Sequence, residues 1–459
     1  MDASSRTETA PVVPPGRARP ARPPWRDFNL IRRNFDRNIL GGLQFIHRAY
    51  GPFVRTRLPL HLYFVSDPAV IDEILVKKAD SFRKDRTSRL LGRVVGNGLL
   101  VNEGESWRRQ RRLMQPAFHQ RHLQTYASMM VGAVARAASG WRAGELRNVH
   151  DDMMGVTMTI VAEALFGTEV GANANQVGSA ISSMMEEFGR ILGLAARFQP
   201  PAWVPTRANR RFRAAARQID GLIQRIIDQR KQNPGQREDL LSLLIEARDE
   251  DGAGMSDAQI RDEAMTLFLA GHETTALALT YALTLLAQHP ADQARVAGEV
   301  TRVLGDRPAT FDDLPALIET EWVVLETMRL YPPAWALGRQ ALVPVEVGGF
   351  QFPRGAEFVM SPWVVHRDPR LFPDPERFDP QRWRDGFQQR LPRFAYFPFG
   401  GGPRVCIGNR FAMMEAKLVL ATLLQRFRVA AAPETQLALA PSVTLRPRDG
   451  VRLRLLAPD

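Results

Sequence analysis

The chain has 459 residues, 45% of them hydrophobic, and a formal net charge of +12. Its single cysteine excludes an internal disulfide and a cysteine-ligated iron–sulfur cluster, and it is typical of a reducing compartment such as the cytoplasm. The sequence contains no stretch of about 20 apolar residues, so no transmembrane anchor is predicted. The N-terminal region also lacks a secretory hydrophobic segment.

The N-terminal segment, residues 1–40, is rich in proline and arginine, and we predict that it is partly disordered. It holds eight arginines against four acidic residues, which accounts for part of the positive charge. No linker-like stretch follows, so residues 41–459 are predicted to form a single domain. The remaining positive charge is spread along the chain without a nucleic-acid-binding motif, so we expect no nucleic-acid partner.

Two regions carry strand-like patterns. The first runs from Val54 to Val65 and Pro68 and predicts a short sheet. The second predicts a meander of short strands with turns at Gly348-Gly349 and at Pro353-Arg354-Gly355. The strands of this meander are Val343–Val347, Phe350–Phe352 and Ala356–Met360. Long amphipathic stretches lie between the two regions, so the fold class is mainly α with a smaller β region.

A long buried helix is predicted between Ser256 and Pro290. Ser256-Asp-Ala-Gln259 has the form of a capping box, and no proline follows before Pro290. The helix therefore spans about 30 residues, or roughly 45 Å. Its apolar residues surround most of the helix axis, which is typical of a helix in the centre of a domain.

Ala270-Gly-His-Glu-Thr-Thr275 lies in the middle of this helix. A glycine, an acid and two hydroxyls are unusual in a buried helix, and they indicate either a kink with a satisfied acid or a functional site. Threonine hydroxyls can bond the carbonyl one turn back. Gly271 removes a side chain where the backbone could approach a ligand. We expect His272 to be solvated or to pack structurally, and not to bind a metal.

Glu326 and Arg329 lie three residues apart in a predicted helix, where they can form an ion pair. Downstream, Pro375-Glu-Arg377-Phe378 precedes Asp379-Pro-Gln-Arg382-Trp383. The family resemblance described below implies that Arg377 joins the pair in a buried network, a role that suits the planar arginine fork.

Cys406 lies in Phe399-Gly-Gly-Gly-Pro-Arg404-Val-Cys406-Ile-Gly408. A lone cysteine is a buried thiol, a nucleophile or a metal ligand. The glycines allow a sharp turn and a close approach to a flat ligand. A helix predicted over Asn409–Arg426 places the thiol near a helix N-terminus, which favours the thiolate. Arg404 adds a positive charge, and together these features are what a cysteine-ligated haem requires.

These motifs resemble those of the cytochrome P450 superfamily over about residues 40 to 455. The resemblance implies the P450 fold, with the long central helix over haem b (iron protoporphyrin IX) and Cys406 as the metal ligand. It implies that Thr274 and Glu273 are catalytic and manage protons. The other residues that it places at the cofactor are Trp107, Arg111, Ala270, Arg339, Phe399, Gly402, Arg404 and Gly408.

Among these, Arg111, Arg339, Arg404 and Trp107 are expected at the haem propionates, and Ala270 is expected to border the substrate. The segments Lys84–Val101 and Ser179–Arg213 are expected to cover the substrate. The remainder of the basic helix, Arg108, Arg109 and Arg112, is expected to be solvated and to suit an acidic redox protein.

The implied function is a monooxygenase that inserts one oxygen atom of O2 into an apolar small molecule, such as a fatty acid or a terpene. Its electrons are expected from a separate ferredoxin or flavodoxin with its reductase. Two alternatives remain at this point. One is a haem-thiolate enzyme that uses peroxide or rearranges its substrate, and the other is a haem-binding sensor or carrier without turnover.

Overall fold

The computed structural model describes residues 20–56, 62–167, 204, 206–232, 239–433, 435 and 437–458. Helices form most of these ranges, as the sequence predicts. The α-helices are α1 (Phe28–Arg37), α2 (Ile39–Tyr50), α3 (Pro68–Asp72), α4 (Arg86–Leu90), α5 (Gly92–Val95), α6 (Gly104–Met114), α7 (Gln120–Ala137), α8 (Val149–Phe166), α9 (Arg207–Gln232), α10 (Leu240–Glu246), α11 (Asp257–Gln288), α12 (Pro290–Leu304), α13 (Ile318–Leu330), α14 (Pro362–Val365), α15 (Phe387–Arg390) and α16 (Asn409–Arg426).

Strands occupy a smaller part of the described ranges. They are β1 (Phe53–Arg55), β2 (Leu62–Val65), β3 (Phe82–Lys84), β4 (Leu146–Asn148), β5 (Leu337–Ala341), β6 (Val345–Val347), β7 (Phe350–Phe352), β8 (Glu357–Met360), β9 (Arg428–Ala431), β10 (Leu439–Pro441), β11 (Leu445–Pro447) and β12 (Arg452–Leu456).

One compact unit comprises Met1–Asp85, Ala336–Arg377 and Gln388–Arg404. It contains a five-stranded sheet in the order β1-β2-β8-β5-β3 and the hairpin β6–β7. An apolar core with many aromatic side chains supports this sheet. Tyr63 stacks on Phe358 at a ring-centroid distance of 5.4 Å, and Phe53 packs against both.

The other unit comprises Arg86–Trp335, Phe378–Phe387 and Val405–Asp459. Its central element is α11, which packs against α8, α13 and α16. A three-stranded sheet in the order β4-β12-β9 and the hairpin β10–β11 complete the unit. In the described part of the chain, no helix is both long and apolar enough to span a membrane.

The bounds of the two helices that frame the predicted site follow the sequence closely. Ser256 caps α11 by accepting a hydrogen bond from the Gln259 amide at 3.2 Å, and the helix ends at Gln288, just before Pro290. The helix after the cysteine, α16, has the predicted bounds. The division at residue 40 and the single domain over residues 41–459 stay predictions.

The predicted meander is partly wrong. Gly348 and Gly349 form the expected tight turn between β6 and β7, with φ values of 55° and 76°. The next strand, β8, leaves this hairpin and pairs with β2 in parallel and with β5 antiparallel. In the first region, β1 and β2 pair as expected, but Pro68 begins α3, where Asp67 caps the Ala69 amide.

Glu326 and Arg329 form the predicted pair in α13, and neither side chain is exposed. The guanidinium bonds the carboxylate through two nitrogens, at 2.8 and 2.9 Å. The Asp379 amide and the Trp383 indole also donate to this carboxylate, each at 3.0 Å. A charge that is fully removed from water is stabilised here by several donors, as it must be to remain buried.

The arginine that joins this pair is Arg382, and the prediction of Arg377 is wrong. The Arg382 side chain is 7% exposed, and its Nε lies 3.4 Å from the Glu326 carboxylate. Arg377 is exposed. The chain turns between the two arginines, and a similar sequence surrounds both, so pattern alone does not separate them.

Candidate active site

The segment before the cysteine depends on glycine. Gly400 and Gly402 have φ values of 69° and 66°, in the left-handed region that L-residues with side chains rarely adopt. A Cβ atom at Gly402 would lie 1.9 Å from the Leu75 carbonyl oxygen. Only glycine therefore allows this backbone to lie against Leu75. The close approach to a flat ligand stays a prediction.

His366 helps to fix the start of this segment. It is fully buried, and its Nε2 accepts a hydrogen bond from the Phe397 amide at 3.0 Å. Because Nε2 accepts this bond, it carries no proton. Phe399 and Arg404, which were predicted at the cofactor, are both half-buried.

Cys406 is exposed and lies two residues before Gly408, the N-cap of α16. Arg111 of α6 donates a hydrogen bond to the Val405 carbonyl at 2.9 Å, so the guanidinium lies beside the cysteine loop. Burial lowers the pKa of Arg111, and the negative charge of a Cys406 thiolate opposes this effect. The structure therefore brings Arg111 and Cys406 together as an attractive pair.

Trp107 lies one turn before Arg111 in α6 and is buried. The two side chains therefore share a helix face, as predicted. Arg339 is a buried residue in the middle of β5, where it is paired with Lys84 and Phe358, and its Nη1 bonds the Gly338 carbonyl at 2.8 Å.

The solvated basic helix that was predicted is partly wrong. Arg109 is only partly exposed, and its Nε bonds Asp249 at 2.6 Å. The same guanidinium donates to two backbone carbonyls, those of Ala253 and Gly254. Arg108 pairs with Glu105, whereas Arg112 is exposed. Local carboxylates thus neutralise two of these three arginines.

The central helix α11 has an exposed stripe. Ala270 is exposed, and Leu267, Gly271 and Thr274 are half-buried, whereas every residue from 275 to 287 is buried. These four positions recur at intervals of three or four residues and so lie on one face. A buried helix that uncovers small residues along one stripe offers a surface to a ligand.

Gly271 has a packing role in the structure. A Cβ atom there would lie 2.8 Å from the Val161 side chain of α8. The glycine therefore allows α8 and α11 to pack closely, and this helix contact explains it without a ligand. His272 is buried, and its Nδ1 lies 3.1 Å from the Phe268 carbonyl oxygen, which confirms the structural packing predicted for it.

The two threonines of the motif point to different partners. The Thr274 hydroxyl donates to the Ala270 carbonyl at 2.8 Å, so its oxygen can still accept hydrogen bonds. Thr275 is buried and bonds the carboxyl group of Glu415 on α16. Burial raises the pKa of Glu415 well above its usual value, against the effect of this hydrogen bond.

Glu273 is buried and already bound to other residues. Its Oε1 accepts hydrogen bonds from the Thr444 hydroxyl and from Arg446 Nε, each at 2.5 Å. Burial raises the pKa of Glu273, but the hydrogen bond and charge of Arg446, together with Thr444, outweigh burial and hold the pKa below its usual value. The sequence analysis missed both partners, which lie two residues apart around β11 and share a face of that strand.

The donor set fits haem. Across the described ranges, no group of three histidine, cysteine, aspartate or glutamate side chains could hold a metal ion. A single exposed thiol therefore suits a metal that brings its own in-plane ligands. The thiol, the neighbouring Arg111 guanidinium and the exposed stripe of α11, all in one unit, suit an anionic prosthetic group such as haem.

The structure describes the first of the two segments expected to cover the substrate, and part of the second. Lys84 ends β3, and the rest of the first segment contains α4 and α5. In the second segment, residues 179–203 and 205 lie outside the described residues. The described part of this second segment ends in the first turns of α9.

A fold centred on a long helix, with an exposed thiol before a helix and partly buried arginines, indicates a haem-thiolate class of protein. The family model for cytochrome P450 matches residues 19–451. The cyclooctatin synthase of Streptomyces melanosporofaciens is 38% identical over 405 residues, which cover 86% of this chain and 87% of that protein. The cyclooctat-9-en-7-ol 5-monooxygenase of the same organism is 32% identical over 452 residues, 94% and 95% of the two chains.

The solved structure of retinoic acid bound cyanobacterial CYP120A1 matches with a TM-score of 0.82 and 28% identity, and it covers 95% of this chain and 99% of that one. The chain belongs to the cytochrome P450 family. It is a haem-containing monooxygenase, and its reaction requires O2 and electrons from a redox partner. The P450 fold predicted from the motifs is confirmed.

Proposed function

We propose that Cys406 would hold the haem iron through its thiolate. The exposed thiol beside the Arg111 guanidinium carries this assignment, because that cation stabilises a thiolate. When it is bound, haem with a thiolate ligand supplies the cleavage of dioxygen. The other residues proposed to contact the cofactor are Trp107, Arg111, Ala270, Arg339, Phe399, Gly402, Arg404 and Gly408.

The arginines in this set neutralise the two propionates, and Trp107 adds an indole N–H. Arg339 is buried and Arg404 is half-buried. Anionic groups removed from water need such partners. Gly402 keeps the backbone flat against its neighbours, whereas a Cβ at Gly408 would make only an ordinary contact with Phe118, at 3.8 Å.

The Thr274 hydroxyl is the proposed proton donor at the exposed face of α11. Its hydroxyl hydrogen is directed to the Ala270 carbonyl, and the oxygen accepts a hydrogen bond from a water or substrate on that face. Rotation of the hydroxyl then turns it into a donor. Glu273 is the second catalytic residue proposed, and it can take up a proton only after its contact with Arg446 loosens, because the pKa of this carboxyl is held low.

The substrate class that we propose is terpenoid. The name of the cyclooctat-9-en-7-ol 5-monooxygenase describes oxygenation at position 5 of a cyclic alkenol. The exposed stripe offers the apolar side chains of Leu267 and Ala270 and the single hydroxyl of Thr274, which suits a hydrocarbon with few polar groups.

Electrons come from a separate ferredoxin or flavodoxin with its reductase, and the protein acts in the cytoplasm. One cysteine cannot ligate an iron–sulfur cluster.

Cys406→Ser tests the haem assignment. We expect this variant to lose the red-shifted Soret band of its ferrous carbon monoxide complex, because serine gives no thiolate. A variant that keeps the band would refute the assignment. For the substrate, cyclic terpene alcohols and fatty acids of similar carbon number are compared by their spectral shifts and by NADPH- and O2-dependent product formation. Products from the fatty acids alone would refute the terpenoid proposal.

A further inference from the structure

The second turn of α11 holds the chain segment Gly96–Leu99 by its backbone. The Asn97 amide donates to Asp262 Oδ2 at 2.7 Å, and the Leu99 amide donates to Glu263 Oε2 at 2.8 Å. Two consecutive acidic side chains of the helix thus take two alternate amides of one segment. Hydrogen bonds to backbone amides fix the position of a segment independently of its side chains.

Glycine allows this segment to lie directly on the helix. A Cβ atom at Gly96 would lie 2.1 Å from Asp262 Oδ1, and one at Gly98 would lie 2.0 Å from the Thr266 hydroxyl oxygen and 2.6 Å from the Asp262 carbonyl oxygen. Gly92 differs, because its Cβ would meet only Val101, at 3.8 Å. The close approach is therefore specific to Gly96 and Gly98.

The contact leaves polar groups unsatisfied. Glu263 is fully buried, and within the described residues its Oε1 has no hydrogen-bond partner, nor has the Thr266 hydroxyl. Burial raises the pKa of Glu263 to about 8, against the effect of the Leu99 amide. When the segment moves away, water reaches both groups and offsets part of the lost contact. Such a contact is suited to opening and closing.

The same turn is tied to α9. Arg261 bonds Asp262 Oδ1 through Nη1 at 2.5 Å and Asp220 Oδ1 of α9 through Nε at 2.9 Å. Asp262 therefore shares its carboxylate between the segment and an arginine that also binds the next helix. A displacement of α9 changes the position of this arginine, and with it the charge that faces Asp262.

Glu263 lies on the face of α11 that carries the exposed stripe. It precedes Ala270 by seven residues, which places the two within about 20° around the helix and about 10 Å apart along its axis. The segment Gly96–Leu99 thus covers one end of the face that is proposed to bind the substrate.

We propose that Asp262 and Glu263 are positioning residues that latch Gly96–Leu99 over the substrate face of α11, and that Asp220 and Arg261 couple this latch to α9. Its role in substrate access rests on the proposed function, whereas the latch itself is a property of the folded chain. Opening of the latch and movement of α9 are therefore linked events.

Amide hydrogen exchange at Asn97 and Leu99 tests the latch in the full-length, haem-loaded protein. We expect Glu263→Ala and Gly98→Ala to raise the exchange rate of Leu99 by about tenfold or more, because one variant removes the acceptor and the other displaces the segment. Gly92→Ala is the matched control on the same stretch and leaves the rate unchanged. Unchanged exchange in both test variants would overturn the latch.

Asp220→Asn tests the coupling. This residue does not touch the segment in the described contacts, so a purely local role predicts no change at Leu99. We expect faster exchange at Leu99 in this variant, and an unchanged rate would overturn the coupling to α9.

Access is measured with 4-phenylimidazole, an azole that binds haem iron and shifts its spectrum. Stopped-flow association and dissociation should both be faster in Glu263→Ala and Gly98→Ala than in Gly92→Ala. Faster exchange with unaltered azole kinetics would overturn the role in access while leaving the haem assignment intact. Loss of the azole shift in every variant and in the wild type would count against the proposed function instead.

Discussion

Two turns of α11, ten residues apart, each bury a glutamate. The pKa values of the two carboxyl groups shift in opposite directions. Glu263 and Glu273 of α11 are both almost completely buried. The pKa of Glu263 is raised because burial is opposed mainly by one backbone amide, whereas the pKa of Glu273 is lowered because Arg446 supplies a full positive charge. The partner, and not the burial, decides whether the acid is ionised.

This difference separates a reversible contact from a permanent one. The turn at Glu273 joins α11 to the hairpin β10–β11 through an ion pair between the buried Glu273 and the half-buried Arg446, and removing the cation would leave a buried carboxylate unpaired. The hairpin is held further by the Tyr281 hydroxyl on the Leu445 carbonyl at 2.7 Å. The turn at Glu263 holds a segment through two backbone amides, one bonded to Asp262 and the other to Glu263, and water can replace both hydrogen bonds. The exposed stripe of α11 begins beside the reversible contact, at the turn of Glu263, and stops at the fixed one, at the turn of Glu273.

The largest effect is expected when the fixed end is broken. Arg446→Leu leaves the Glu273 carboxylate buried without its cation, and we expect the free energy of unfolding to fall by about 3 kcal/mol. Arg448→Ala is the control, because Arg448 lies next to the same hairpin and is exposed. Urea unfolding of both variants measures the effect, and equal stability would show that the ion pair contributes nothing.

The pH dependence of folding stability distinguishes the turn at Glu263 from the turn at Glu273. The folded protein keeps the Glu263 proton up to about pH 8, whereas an ordinary glutamate releases it near 4.5. Folding therefore takes up a proton between these values, and the contribution of Glu263 to stability falls by about 1 kcal/mol per pH unit as the pH rises through this window.

Glu263→Gln cannot ionise and lacks this slope. The difference in unfolding temperature between the wild type and Glu263→Gln should therefore shift in favour of the variant from pH 5 to pH 8. Parallel curves for the two proteins over this range would show that Glu263 is ionised in the folded state.

A third buried glutamate, Glu326, tests whether several partners make such a site robust. Arg382→Leu removes one cation, but the bidentate contact with Arg329 remains. We expect a loss of about 1–2 kcal/mol, smaller than for Arg446→Leu. Arg377→Leu serves as the comparison on an exposed neighbour of the same segment, and a larger loss there would restore the role first predicted for it.

The sequence predicts those parts of the fold that depend on local signals. Ser256 and Pro290 bound α11, and Gly348-Gly349 marks a hairpin turn, because caps, prolines and positive φ act within a few residues. The motif around Cys406 predicted the helix that follows it and the cofactor class. These features need no knowledge of distant contacts.

Other features depend on pairing between remote segments. Thr444 meets Glu273 across 171 positions of sequence, and no periodicity specifies that contact. The partners of β8 and the choice of Arg382 over Arg377 are likewise set by how irregular segments dock. The packing role of Gly271 likewise depends on Val161, which lies on a different helix. The assignments of the haem-contacting side chains stay predictions.

The smallest change in stability is expected from the two adjacent threonines, which separate the stripe from the buried half of α11. Thr275→Ala removes the hydroxyl that bonds the fully buried Glu415, and we expect a loss of about 1 kcal/mol that Thr275→Ser restores. Thr274→Ala removes a hydroxyl whose acceptor, the Ala270 carbonyl, lies in the helix, so the unfolding temperature of this variant should stay near that of the wild type.

If the Thr274 hydroxyl delivers protons on the exposed face, Thr274→Ala should still consume NADPH while it forms less product and releases peroxide. The ratio of product to NADPH in the two alanine variants is the measurement. Equal ratios in the wild type and Thr274→Ala would refute proton delivery by Thr274, and a lower ratio in Thr275→Ala than in Thr274→Ala would assign that role to the buried hydroxyl.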